Sequence, residues 1–195
     1  TFGTPRLDAL RRDFTVNSLF YDIATSSVVD YVGGLADIQA GLIRTIGQPD
    51  LRFQEDPVRM IRAIRFSARL GFDIEKSTRK SIEKQGELIS RSPIPRVTEE
   101  WARLLEEGAS SKAIGLLYDL GLLDHLDKVQ ARLISQQLRA NEEGDPLLFA
   151  LLAEVDHIRE EGLKLSRPLL YAVWLLPLLL LELDFVESER DPAAI

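Results

Sequence analysis

Cysteine is absent from the 195 residues, and with it any disulfide framework, thiolate metal site or cysteine nucleophile. Histidine is scarce as well. His125 and His157 stand apart without a partner at metal-ligand spacing, so no zinc site is expected from them. Long hydrophobic runs are missing too. The longest, LLYAVWLLPLLLL from Leu169 to Leu181, has 13 residues and contains a proline, against the roughly 20 that a membrane span needs. It reads as a buried core helix. No secretory signal is read at the start, so a cytoplasmic protein with no membrane partner is the expectation.

What is present fits a globular chain: 45% hydrophobic and 28% charged residues, enough length for one large domain or two small ones. The net charge of −7 is unevenly spread. Residues 1–100 carry 15 Lys/Arg against 14 Asp/Glu, whereas residues 101–195 carry 9 against 17. Residues 59–96 hold 10 basic and 4 acidic side chains. A basic block inside an acidic protein suits a polyanion, and it equally suits a solvated helical surface.

Strand-like sequence is confined to the first quarter. LFYDIA and VVDYV flank TSS and read as a hairpin from Leu19 to Val32, broken by Gly33 and Gly34. LADIQAG follows as one or two helical turns and LIRTIG as a further short strand, and nothing β-like of comparable strength comes later. From Asp56 onward the chain is helical, with Asp56 placed to cap and Pro57 at the first helical position. Val58, Ile61, Ile64 and Ala68 make an apolar stripe that Gly71 ends. Further helices are expected over 76–89, 97–107, 110–120, 127–142, 146–160 and 167–184. The expected fold class is mostly α: a helical array preceded by a small α/β remnant.

Three blocks carry chemistry. RRDFTVN, from Arg11 to Asn17, packs two cations, an acid, a hydroxyl and an amide into seven residues. Arginine forks suit phosphates and a neighbouring carboxylate suits Mg²⁺, although a charged turn before a strand explains the same letters. DYVGGLADIQAGLIRTIG, from Asp30 to Gly47, has two glycines that permit unusual backbone, as a phosphate loop or as a tight strand-to-helix turn. In EDPVRMIRAIRF, helical spacing makes Glu55, Asp56 and Arg59 neighbours. A carboxylate beside an arginine is equipped to read a base edge or to form a capping salt bridge.

The order and spacing of these blocks from Phe2 to Phe72 resemble the class II nucleotidyltransferases, the bacterial poly(A) polymerases and CCA-adding enzymes. SPIPRVTEEWARLLEEG, LLYDLGLLDHL and RPLLYAVWLLPLL look more like the poly(A) polymerases. The resemblance implies the end of a catalytic head over residues 1–49, a helical neck binding nucleotide and RNA over 50–108, and a helical body over 109–195. It implies a reaction joining AMP from ATP to an RNA 3′ end. The head's D-x-D carboxylate pair, which would hold Mg²⁺ in a full-length enzyme, is expected before residue 1, so the chain alone is expected to be inactive. By the same resemblance Asp13 is an assisting catalytic carboxylate, and Arg12, Asp56, Arg59, Arg62 and Arg65 bind the nucleotide. Glu55 and Asn17 support them, and Arg69, Lys76, Arg79, Lys80 and Lys84 are left for RNA. Gln54 departs from the pattern, standing where many relatives have a basic residue. A CCA-adding enzyme acting on tRNA and a non-catalytic RNA-binding helical module are the alternatives.

Overall fold

The protein is built around one helix whose sequence is apolar on more than one side. The computed structural model describes residues 4–140 and 146–190. Phe2, where the resemblance starts, and residues 141–142, expected to end a helix, lie outside the described residues.

The first part is a small α/β unit. Helix α1 (Pro5–Arg11) starts on Thr4, whose hydroxyl accepts the Leu7 N–H, with proline in the first turn. A 3-10 turn (Thr15–Asn17) leads into β1 (Leu19–Asp22) and β2 (Ser27–Asp30). These two form the expected hairpin, with Leu19 opposite Asp30 and Asp22 opposite Ser27. Helix α2 (Gly34–Ala40) follows, then β3 (Leu42–Ile43). The strand expected from LIRTIG is cut to those two residues. They pair in parallel with β4 (Asp73–Ile74), two residues too few to be legible in sequence.

Both glycines of the α2 turn have a structural reason, and the two reasons differ. Gly33 is left-handed at φ +84, whereas a Cβ on Gly34 would meet the carbonyl oxygen of Thr15 at 2.4 Å. The Asp30 carboxylate accepts the N–H groups of Val32 (3.0 Å), Gly33 (2.9 Å) and Leu35 (3.0 Å). Buried Asp37 accepts the Thr15 hydroxyl at 2.7 Å and Arg44 Nε at 3.0 and 3.1 Å. The D-x-x-G-G-x-x-D stretch therefore works as a brace between the RRDFTVN turn and the strand after it.

The helical part runs α3 (Pro49–Glu55), α4 (Val58–Leu70), α5 (Lys76–Gln85), a 3-10 segment (Gly86–Arg91), α6 (Ile94–Glu106), α7 (Ser110–Asp119), α8 (Leu123–Leu126), α9 (Lys128–Ala140), α10 (Leu147–Glu160) and α11 (Arg167–Arg190). The expected helices are present with shifted ends. Asp56, however, does not cap α4 with its side chain. Its backbone is extended where α3 ends, Pro57 precedes the helix, and the carboxylate is drawn to an arginine fork on α6. A charge-assisted fork outcompetes a single neutral N–H.

Helix α4 is the centre of the core. Val58, Ile61, Ile64 and Ala68 are buried as the stripe predicts, and so are Met60 and Ala63, because α4 packs against α7, α6 and α3 together. Phe14, Phe53, Ile114 and Leu117 complete a core in which each large side chain contributes about 1.5–3 kcal/mol by leaving water. Helix α10 docks on α7, where the Asp156 carboxylate accepts the N–H groups of Ser110 (2.7 Å) and Ser111 (2.9 Å) and so caps the neighbouring helix. The apolar run on α11 is helical, but it is not the buried core helix expected. Leu170 and Trp174 are buried while Leu175, Leu179 and Leu181 stay about half exposed. Among the described residues no helix is long and apolar enough to cross a membrane.

Glu75 gives the fold a pH dependence. It caps α5, accepting the N–H groups of Ser77 and Thr78, each at 3.0 Å, and it lies 3.6 Å from Arg44. Burial pushes its pKa up, but the hydrogen bonds from Ser77 and Thr78 prevail and hold it at about 2, below its ordinary value of 4.5. A folded pKa below the unfolded one stabilises at neutral pH, and that contribution disappears as pH falls from 4.5 towards 2. Glu75→Gln should therefore be less stable than its parent at pH 7 and close to it near pH 2. A constant difference across a pH series of thermal melts would contradict this.

Candidate functional site

The start of α4, the start of α6 and the RRDFTVN turn surround an open cleft of about 510 Å³. It is lined by Arg12, Asp13 and Asn17 from the turn, Asp56 from the end of α3, Arg59, Arg62 and Phe66 from α4, and Arg96 from α6. At 3.6 residues per turn, Arg59, Arg62 and Phe66 fall on one side of α4, which is why they share the cleft.

The turn supplies a carboxylate held from both sides. One oxygen of Asp13 accepts Arg62 Nε at 2.7 Å and lies 2.6 Å from Arg62 Nη2. The other accepts the Phe14 N–H at 2.9 Å and the Asn17 amide at 3.3 Å. Arg12 donates to the Asn17 carbonyl at 2.6 Å and sits 4.8 Å over the ring of Phe20. Asn17 thus contacts both neighbours, Asp13 through its side-chain amide and Arg12 through its backbone carbonyl.

On α4 the expected cluster is present. Arg59 donates to Glu55 at 3.0 Å and to the Arg52 carbonyl at 2.9 Å, and its Nε lies 4.0 Å from Asp56. Glu55 itself stands outside the cleft lining. Arg62 reaches past Asp13 to donate to Glu100 at 3.0 Å. Although burial opposes its charge, Asp13 and then Glu100 raise its pKa above the usual arginine value.

Arg65 does not join the cleft. It is 4% exposed, donates to Glu100 at 3.0 Å and Glu107 at 2.5 Å, and covers the ring of Phe66 at 4.4 Å. It ties α4 to α6 from within. The residues left for RNA lie outside the cleft too. Arg69 is 3.5 Å from Glu107, Arg79 pairs with Glu83 at 3.0 Å, and Lys84 pairs with Asp50 at 2.8 Å. Lys76 and Lys80 are exposed and have no ion pair among the described residues.

Four participants escaped the sequence reading. Arg96 forks onto both oxygens of Asp56 at 3.0 and 2.8 Å. Glu100, one turn later on α6, holds Arg62 and Arg65. Phe66 lines the cleft. Arg52 donates to the carbonyls of Arg11 (2.8 Å) and Arg12 (2.5 Å), tying α3 to the turn. The i,i+4 spacing of Arg96 and Glu100 puts both on one side of α6, but no local pattern names their partners. Gln54 faces away and bonds Gln85 at 3.2 Å.

Chemically, the cleft offers a planar acceptor beside planar donors, flanked by cations, an arrangement for a base with its phosphates. It does not suit a metal: Asp13 and Asp56 are each neutralised by an arginine. Among the described residues no group of three or more His, Cys, Asp or Glu is arranged around a cation position.

Comparison with known proteins finds similarity in both sequence and structure. A family profile described as the poly A polymerase head domain matches residues 2–44, and one described as the probable RNA and SrmB-binding site of polymerase A matches residues 71–133. The chain is 40% identical to poly(A) polymerase I of Salmonella typhimurium over 154 residues, 79% of this chain and 32% of that protein. It is 42% identical to the CCA-adding enzyme of Bacillus velezensis over 119 residues, 61% of this chain and 30% of that one. Among solved structures it resembles the Bacillus stearothermophilus CCA-adding enzyme in complex with CTP, at a TM-score of 0.63 and 26% identity, covering 93% of this chain and 48% of that one. The chain thus spans about a third of the length of the curated relatives it matches. With both profiles matched in chain order around the cleft, the chain belongs to the family of bacterial poly(A) polymerases and CCA-adding enzymes.

Proposed function

We propose that this chain is the nucleotide-selecting and RNA-binding portion of a nucleotidyltransferase that adds AMP to RNA 3′ ends. In that reaction the RNA 3′-hydroxyl attacks the α-phosphorus of ATP, and pyrophosphate leaves. Residues 1–49 end the catalytic head, 50–108 form the neck and 109–195 the body. The metal-holding carboxylates belong to sequence outside these residues, and the 195-residue chain by itself extends no RNA.

The observation that carries this reading is the placement of Asp56 and Arg59 on one cleft with Arg12 and Arg62. A carboxylate accepts and a guanidinium donates, so together they match a base edge with an amino group beside a bare ring nitrogen. Adenine and cytosine offer that edge; guanine and uracil offer the reverse. Arg12 and Arg62 are then placed for the phosphates, with Asp13 holding Arg62. The exposed cations of α5 lie within the segment matched to the RNA-binding profile and would contact the strand. AMP addition is favoured by the longer match to poly(A) polymerase I. The match to CCA-adding enzymes supports the second reading, which use of CTP and arrest after three nucleotides would reveal.

In the complete enzyme, Arg59→Ala should reduce the preference for ATP over GTP by about 1–3 kcal/mol while RNA affinity barely moves. The measurement is kcat/KM for each nucleotide beside an RNA titration. Unchanged selectivity with weakened RNA binding would reassign Arg59 to the phosphate backbone.

A further inference from the structure

We infer that Arg96 is a specificity-determining positioning residue: it holds the Asp56 carboxylate in the plane in which a base edge is read. This rests on the proposed role of the cleft and deepens it. Arg59 does not set the orientation of Asp56. Its Nε lies 4.0 Å away, and its Nη1 is committed to Glu55 and the Arg52 carbonyl. Asp56 itself sits between two helices with an extended backbone, where no helical neighbour constrains its side chain. Arg96 supplies the constraint from α6, donating one N–H to each oxygen at 3.0 and 2.8 Å. A fork engaging both oxygens fixes the carboxylate plane, which a point charge would not. Each oxygen keeps a further lone pair, so the held carboxylate still accepts an amino proton from a base.

The same helix holds the second half of the cleft. Glu100, one turn after Arg96, accepts Arg62 at 3.0 Å, and Arg62 holds Asp13. Helix α6 thereby sets the distance between the base-reading carboxylate and the arginine proposed for the phosphates. The Arg96 side chain is 54% exposed and that of Asp56 19%, and an ion pair open to solvent on the arginine side contributes little to folding. An effect on selectivity without an effect on stability is what separates positioning from mere structure.

The test uses the complete enzyme with ATP and GTP as competing substrates. Arg96→Ala should leave the thermal midpoint and RNA affinity unchanged and lower the ratio of kcat/KM for ATP over GTP about tenfold. Arg96→Lys should stay near the alanine value, because lysine does not fork. Arg96→Ala with Asp56→Ala should select no worse than Asp56→Ala alone. An unchanged ratio in Arg96→Ala overturns the inference, as does full rescue by lysine or a loss that adds to that of Asp56. Arg59→Ala is the control: if it keeps the ratio too, the cleft is not the base-reading site and both readings fall. If it loses the ratio while Arg96→Ala keeps it, only the role of Arg96 falls.

Discussion

Replacing Glu100 by alanine should lower the unfolding free energy by about 3–5 kcal/mol, a loss typical of breaking a buried ion pair from one side. Glu100 is 7% exposed and Arg65 4%, and the two meet at 3.0 Å while Glu100 also accepts Arg62. Removing the carboxylate leaves the Arg65 Nε–H buried without an acceptor. Glu107 remains on Arg65 at 2.5 Å, which places the expected value at the lower end of the range. Glu100→Gln keeps an acceptor and should cost less. Denaturant titration measures both variants, and a loss below about 1 kcal/mol in the alanine variant would mean that Glu107 alone satisfies Arg65.

The second large effect is expected at a glycine. Gly34→Ala puts a methyl group 2.4 Å from the Thr15 carbonyl oxygen, closer than any real contact. The obstacle is backbone, so no side-chain rotation relieves it. The helix must move off the RRDFTVN turn, straining the hydrogen bond from Thr15 to Asp37. The expected cost is about 3 kcal/mol, the upper part of the range for overpacking. Gly33→Ala is the natural comparison: nothing lies within 4 Å of a Cβ there, and only the left-handed backbone at φ +84 resists, for about 1 kcal/mol. Equal losses at the two positions would show that the close approach yields.

Much of this was legible in the residues. The hairpin, the α4 stripe, Gly71 as its stop and the neighbourhood of Glu55, Asp56 and Arg59 all follow from local periodicity and turn chemistry. Arg65 obeys the same periodicity. At about 100° per residue it lies nearer to Val58 and Ile61 than to Arg59, so helical geometry alone turns it towards the core. Asp56 failed as a cap for the opposite reason. Its partner, Arg96, is 40 residues away, and no local rule sees across that distance. Glu100 and Arg52 were hidden likewise, since each acts by bridging segments that only the fold brings together. The strand β4 was missed because two residues carry no pattern.

The ion pairs also change what the basic block from Arg59 to Arg96 means for a polyanion. Of its ten cations, seven are already paired: Arg59 with Glu55, Arg62 with Asp13, Arg65 with Glu100, Arg69 with Glu107, Arg79 with Glu83, Lys84 with Asp50 and Arg96 with Asp56. The protein carries its own counterions, fixed in place as carboxylates. A strand settling on α5 exchanges one ion pair for another at Arg79 or Lys84, and sheds condensed cations chiefly where it meets Lys76, Lys80 or Arg91. Three such contacts on a single strand give a logarithmic salt dependence of about 2, where ten would give about 7. The block that looked like a strong electrostatic magnet is, by this count, a mild one.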